Sequence, residues 1–345
     1  SARTPTRHRY GHRCRGRLST GRGVQPTDKE WQMTGMAPGP TIDGVGKTPS
    51  RIAFGTSGCG VDRQEEWHEL LDIFAEAGGA MIDTARGYGT SEEMVGAWLD
   101  SRGRRDDVVI QTKCGLTPEC LLPDEGLADI IREELALSLA ALRADHIDAL
   151  MVHRDNQMKP GGEILEPLNE ALDDGVIHAI AASNWEYRRL EEARAYADKN
   201  GLRSFAVVSN NISLAVPTAA FLPGQVSTDR NAGEEWHRST GVPLVPWSSQ
   251  ARGFFVGRHP REMREDPPAD LGRFDSQMLR IYGSDENYER YERARRLGAE
   301  KGGYTAVEVA LSWLLHRDLA IIPVVGPKAP GEVTSCIKAL SLELT

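Results

Sequence analysis

Residues 81–93 read MIDTARGYGTSEE, and the way this stretch parses decides the fold. A short apolar run from Ala80 to Thr84 carries Asp83 at its end, Arg86 and Tyr88 follow, and Ser91 with Glu92 opens an amphipathic stretch to Leu99. An apolar run of this length between polar flanks is a buried strand, and Ser with Glu ahead of apolar periodicity reads as a helix start. Strand, polar loop and helix in one stretch make a βα unit.

The unit repeats along the chain. Apolar runs at Ile52–Thr56, Ala80–Thr84, Val108–Thr112, Ile147–Val152, Ile177–Ser183, Phe205–Ser209, Pro243–Trp247 and Ala320–Val325 predict eight strands. Helical patterns lie between them. Trp67, Leu70, Leu71 and Phe74 make an i, i+3, i+4, i+7 stripe within 64–77, and Ile131, Leu135, Leu139 and Leu142 make another. Further helices are expected over 162–173, 187–199, 233–239, 286–316 with a break at Gly302 and Gly303, and 332–340. Eight such units predict a parallel (β/α)8 TIM barrel, a single α/β domain of ~250 residues plus insertions. A doubly wound sheet fits worse, because no GxGxxG follows the first strand. Residues 251–285 break the rhythm and are expected to form a long loop that is functional or mobile.

Composition agrees with a core-forming chain. The 345 residues are 40% hydrophobic and 26% charged, with a formal net charge of −9. Five cysteines, Cys14, Cys59, Cys114, Cys120 and Cys336, form no CxxC pair, which argues against structural zinc or a disulfide framework and for a reducing cytoplasmic setting. No run approaches the ~18 apolar residues of a membrane span. The acidic balance argues against nucleic acid as a partner. Against it stands a basic start, with Arg3, Arg7, Arg9, Arg13, Arg15, Arg17, Arg22 and Lys29 facing only Asp28 and Glu30. Such a segment has too little apolar surface to fold alone, so residues 1–45 are expected to be a disordered arm and 46–345 the barrel. Met33 or Met36 is expected to begin the natural protein, with upstream sequence before it. The arm has no secretory h-region.

In a barrel of this kind the site is built where the strands run out, so the residues ending each run carry the functional reading. They are Asp83 with Tyr88, Lys113, His153, Ser183 with Asn184, Ser209 with Asn210, Trp247 with Ser248, and Gly326 with Lys328. Each of the first four has an ordinary structural explanation when taken singly. A carboxylate, a phenol, an ammonium and an imidazole on neighbouring units are instead a proton-donating group. A phenol titrates near ~10, so donating a proton near neutral pH calls for a neighbouring ammonium, and an imidazole adds a hydrogen bond to the same oxygen. No third ligand accompanies His153 and Asp83, so no metal is expected.

The segments MIDTARGYGTSEE (81–93), IQTKCG (110–115), LMVHRDN (150–156), AASNW (181–185), PWSSQARG (246–253) and IIPVVGPK (321–328) resemble the aldo-keto reductase family in order and spacing, over roughly residues 50–344. The resemblance implies Asp83, Tyr88, Lys113 and His153 as a catalytic tetrad with Tyr88 as proton donor. It implies that Ser183 and Asn184 hold a nicotinamide carboxamide, that Trp247 stacks on the ring, and that Ser209 replaces the usual glutamine. Gly326 and Lys328 fall in a phosphate-binding turn, with Lys328 placed for a 2′-phosphate, while Ser335 and Cys336 stand where an acid and an amide often hold adenine. The implied activity is reduction of an aldehyde or ketone with NADPH, NADH being possible, or the reverse oxidation. A cofactor-binding regulatory subunit is the alternative. With the sequence ending at Thr345, an open pocket suited to polar, sugar-like carbonyls is expected, and Trp185, Phe221, Phe254, Phe255 and Tyr282 are candidates to line it. Cys59 and Cys114 lie near strand ends but lack a paired base, so thiol catalysis is not expected.

Overall fold

Parallel strands need a long return path, and each apolar run is followed by a helix that supplies one. The computed structural model describes residues 36–116 and 125–344. Its strands are β1 (Ala53–Gly55), β2 (Met81–Asp83), β3 (Val109–Cys114), β4 (Ile147–Val152), β5 (Ile177–Ser183), β6 (Val207–Ser209) and β7 (Val324–Val325). All pair in parallel in the order β6-β5-β4-β3-β2-β1-β7.

Seven strands stand where eight are expected, and the missing one is the run Pro243–Trp247. Leu244 nonetheless bridges Val208 on one side and Ile321 on the other, which joins β6 to the segment leading into β7 and closes the ring. The Leu244 N–H donates to Ala320 O at 2.8 Å and the Val245 N–H to Val208 O at 2.8 Å. Pro243 and Pro246 flank this pair and bring no N–H, so the run donates only these two bonds, while its carbonyls accept from the Val208 N–H at 3.1 Å on one side and from the Ile322 and Val324 N–H groups at 2.9 and 3.0 Å on the other. Pro323 cuts the last run in the same way, leaving β7 with two residues.

Period-two alternation then sorts the side chains. Ala53, Met81, Val109, Ala149, Met151, Ala179, Ala181, Val207, Val245, Ile322 and Val324 form the interior cluster, where small residues keep a narrow barrel filled. Their neighbours Phe54, Ile82, Ile110, Leu150, Ile180 and Val208 face outward into the larger core beneath the helices. That core takes in the Trp67, Leu70, Leu71 and Phe74 stripe of α1 (Gln64–Glu76), each residue at most 3% exposed.

The arm expected over residues 1–45 lies outside the described residues as far as residue 35. Residues 36–45 are folded. Pro38 bridges Ser50 antiparallel, and Ile42, 2% exposed, joins the interior cluster. Lys47 donates to Val108 O at 3.1 Å and Arg105 O at 2.9 Å, at the start of β3, so this hairpin caps the N-terminal end of the barrel. The apolar signal there, Met36, Ala37, Ile42 and Val45 spread among Pro and Gly, is too sparse to register as an element.

The helices after α1 are α2 (Ser91–Arg102), α3 (Leu127–Leu142), α4 (Leu165–Asp173), α5 (Tyr187–Asn200), α6 (Ala232–Thr240), α7 (Arg261–Glu265), α8 (Arg273–Tyr282), α9 (Asp285–Glu300), α10 (Ala306–Leu315) and α11 (Pro330–Lys338). Gly302 and Gly303, at φ 102° and 87°, separate α9 from α10 as expected, since a side chain there would be strained. Ser91 is the first helical residue and no cap; its hydroxyl turns inward and donates to Thr56 Oγ1 at 2.6 Å. The expected long loop holds α7 and α8. Met278, Leu279, Ile281 and Tyr282 bury one face of α8, a periodicity masked by its short length and charged flanks.

Candidate active site

Register places the charged pair. Asp83 at the end of β2 lies opposite Gln111 of β3, and the alternation that sends Val109 inward sends Gln111 and Lys113 inward too. Lys113 Nζ donates to Asp83 Oδ1 at 2.8 Å, to Asp83 Oδ2 at 2.7 Å and to the Thr84 carbonyl at 2.8 Å. Gln111 Nε2 adds a bond to Asp83 Oδ1 at 2.5 Å. Lys113 is 2% and Asp83 4% exposed, so each charge depends on the other. Burial works against the Lys113 charge, but Asp83 and the Tyr88 phenol outweigh it and its pKa lies above the ordinary lysine value.

Tyr88 sits on the turn between β2 and α2, where its N–H donates to Ala85 O at 3.0 Å. Two interactions fix that turn. The Arg86 N–H donates to Lys113 O at 3.0 Å, and the Arg86 guanidinium reaches Glu92 at 2.6 Å. Glu92 is fully buried and accepts from Thr112 Oγ1 at 2.6 Å, which ties the turn to β3. The Tyr88 ring lies 5.0 Å from Lys113 Nζ and edge-on to His153 at 5.7 Å. His153 follows β4 and is held by its N–H on Cys114 O at 2.9 Å. Burial, with Lys113 and Arg154 nearby, pushes its pKa well below the ordinary histidine value, so the ring is neutral. Its Nδ1 is buried without a partner. Sequence reasoning noted Arg86 and Glu92 but gave them no role in the site, and it missed Gln111. Gln111 had a signal, a polar residue two before Lys113 on an inward face.

Asp83, Tyr88, Lys113 and His153 share one cleft of about 890 Å³ with Ser183, Asn184, Trp247, Gly326 and Lys328. That is a volume suited to a cofactor and a small substrate together. Asn184 has φ 62°, and its Nδ2 donates to Ser183 Oγ at 2.8 Å. Trp247 faces the cleft with Nε1 unpartnered. Gly55 ends β1 against β7, where an added Cβ would come within 2.6 Å of Val324 Cγ1, so the strands close tightly beneath the turn that carries Gly326 and Lys328. Lys328 is exposed; its Nζ donates to Ser57 O at 2.8 Å, and its N–H donates to Glu332 at 2.8 Å. Ser335 and Cys336 line the far end, the first donating to Glu308 at 2.8 Å. These unpartnered polar atoms and this row of residues fit a nicotinamide dinucleotide.

One expected residue is not brought to the cleft. Ser209 is 1% exposed and does not line it; its carbonyl accepts from Ser183 Oγ at 3.2 Å and from the Asn184 N–H at 3.3 Å. A serine is too short to reach where a glutamine would, and what Ser209 supplies is its own backbone carbonyl, which holds the Ser183 hydroxyl and the Asn184 N–H. Of the expected pocket aromatics only Phe221 lines the cleft. Trp185 packs edge-on to Phe205 at 4.8 Å, and Phe254, Phe255 and Tyr282 join Tyr288 in a second buried cluster. Phe254, Phe255 and Tyr282 are drawn into the layer beneath α8 and α9, where burial removes their apolar surface from water. Burial raises the Cys59 thiol to about 11 and pushes Cys114 further up, which keeps both protonated. Among the described residues His146, Asp148 and His178 could gather round a metal, but they lie at the opposite end of the barrel and Asp148 already pairs with Lys47 and Arg105.

The aldo/keto reductase family model matches residues 51–345. The chain is 28% identical over 299 residues to an aryl-alcohol dehydrogenase of Pestalotiopsis microspora, covering 84% of this chain and 72% of that one. It is 27% identical over 301 residues to a norsolorinic acid reductase of Emericella nidulans, with the same two coverages, 84% and 72%. A glycerol dehydrogenase of Gluconobacter oxydans superposes with a TM-score of 0.71 at 22% identity, over 89% of this chain and 91% of that one, a likeness of fold. Barrel, strand-end residues and family match agree: the chain is an oxidoreductase and belongs to the aldo/keto reductase family.

Proposed function

We propose that the protein reduces an aldehyde or ketone to the alcohol with NADPH, and that Tyr88 gives the proton. The observation that carries this reading is the Tyr88 ring set between Lys113 Nζ at 5.0 Å and the His153 ring at 5.7 Å on one wall of the cleft. The cofactor, when bound, supplies the hydride. Tyr88 donates its hydroxyl proton to the carbonyl oxygen, and Lys113 stabilises the charge left on the phenolate. Asp83 keeps Lys113 charged and aimed, Gln111 steadies Asp83, and neutral His153 orients the carbonyl oxygen by hydrogen bonding. The same groups run the reverse oxidation.

Trp247 offers a face for the nicotinamide, and Ser183 with Asn184 offers amide-binding groups. Lys328 supports NADPH over NADH, since a cation beside the phosphate turn favours a 2′-phosphate. Glu332, bonded to the Lys328 backbone, works against that preference. Leu222, Val256 and Phe274 expose apolar surface on the cleft wall, which supports an apolar or aromatic carbonyl substrate over a sugar-like one. No helix among the described residues is long and apolar enough to cross a membrane. Free, buried Cys59, Cys114 and Cys336 support a reducing compartment such as the cytoplasm.

The test is single-turnover oxidation of bound NADPH, and of NADH, across a panel of aldehydes and ketones. Wild type turns over the panel faster with NADPH, and Tyr88→Phe binds the cofactor with unchanged tryptophan quenching yet loses turnover. Equal rates in the two proteins refute the role of Tyr88.

A further inference from the structure

The segment after the closing strand carries a charge that the reaction above does not use. Arg252 lines the cleft, its guanidinium 3.9 Å over the Phe221 ring and 5.9 Å from the Trp247 ring. Its Nε is shut off from solvent and has no hydrogen-bond partner. Among the described residues no carboxylate pairs with it, whereas Arg86, Arg105 and Arg189 each hold a buried acid. The ionisable groups close enough to favour its charge are the phenols Tyr88 and Tyr282, while burial pulls its pKa below the ordinary arginine value. A half-buried guanidinium with unused donors is costly unless an anion completes it.

The backbone holds it there under strain. Ser248, Ala251 and Arg252 have φ of 51°, 50° and 51°, three of the five non-glycine residues with positive φ among those described. Side chains rarely adopt that conformation, and runs of it collect where a chain must present a group to a ligand. Around the guanidinium the wall is apolar. Phe221 packs edge-on to Phe274 at 6.4 Å, and Phe274, Val256 and Leu222 are 43%, 66% and 39% exposed.

We propose that Arg252 binds an anionic substituent of the substrate, and that the substrate class is an apolar or aromatic carbonyl compound bearing a carboxylate. Two parallel N–H donors suit a carboxylate, and the ring beneath the guanidinium suits an aromatic body. Arg252 lies at the Tyr88 and Trp247 end of the cleft, so it meets the substrate rather than the phosphates, which belong at the Gly326 and Lys328 end. The proposal deepens the reductase reading and rests on it.

The test compares 4-carboxybenzaldehyde with its methyl ester, which differ in charge at one end. Wild type favours the acid in kcat/KM, and Arg252→Met lowers the acid-to-ester ratio by at least ~10-fold while leaving ester turnover and NADPH affinity unchanged. Arg252→Lys recovers part of the ratio, which a merely structural role would not produce. An unchanged ratio in Arg252→Met overturns the proposal. So does weakened NADPH binding with the ratio intact, since the guanidinium then serves the cofactor. If neither aldehyde is reduced, the reductase reading fails by itself, and binding of benzoate against methyl benzoate to the NADP⁺-loaded protein decides the point. Benzoate binding lost in Arg252→Met supports the anion site, and equal binding of both probes refutes it.

Discussion

Replacing Lys113 with methionine keeps most of the side-chain volume and removes its charge. Lys113 Nζ lies 5.0 Å from the Tyr88 ring, and two unit charges at that separation in a largely buried site interact by about 3 kcal/mol at an effective dielectric of ~20. The charge appears on Tyr88 as the proton leaves, so this stabilisation acts on the transition state and its loss costs roughly 10²-fold in rate. A second cost falls on folding. Asp83 keeps only Gln111, and a stranded buried carboxylate destabilises by about 3–5 kcal/mol. The double variant Asp83→Asn/Lys113→Met removes both charges and regains most of that stability. Single-turnover rates at saturating NADPH, measured beside urea unfolding curves, separate the two effects. Lys113→Met loses rate and stability, and the double variant regains stability alone. A Lys113→Met enzyme within a few-fold of wild type refutes the electrostatic argument, and a double variant that regains the rate shows that the loss was structural.

Ile42→Ala opens a hole at the capped end of the barrel and destabilises by about 2–5 kcal/mol in urea unfolding, with turnover per folded molecule unchanged because the cleft is at the other end. An unaltered unfolding midpoint contradicts the capping role. His237 is buried, with Nδ1 2.7 Å from Val242 O, and burial pushes its pKa down to about 4, against the ordinary ~6.5 that it keeps when unfolded. The unfolded chain therefore takes up a proton that the native state refuses. Stability from this residue is complete above ~6.5 and falls with pH toward about 4, by about 3 kcal/mol, and His153 acts in the same direction. His237→Gln flattens the acid side of the stability profile, and a profile identical to wild type disproves this assignment.

Local spacing made much of this molecule legible. Eight apolar runs separated by helical stripes dictate a parallel barrel, and a barrel dictates that the residues ending its strands share a cleft. Asp83, Tyr88, Lys113 and His153 could be named as a set for that reason alone, without knowledge of any contact. The Trp67 stripe and the break at Gly302 were equally readable, since helix periodicity and glycine conformation are properties of neighbours in sequence.

Contacts between distant segments were not readable in this way. Period-two alternation says that Gln111 faces inward, but only the register of β2 against β3 sets its amide on Asp83. Prolines on both sides of Leu244 deny that run its ladder, yet the ring closes because β6 and the approach to β7 bring their own donors and acceptors to it. Phe254, Phe255 and Tyr282 went to a buried layer rather than the cleft, and Arg252 was left facing it with no acid to meet among the described residues. Sequence by itself determined the architecture and the end of the barrel that carries chemistry, because those follow from short-range patterns. Tertiary structure alone decided which groups are satisfied and which remain open to a ligand, because hydrogen bonding and burial depend on residues brought together by the closed ring.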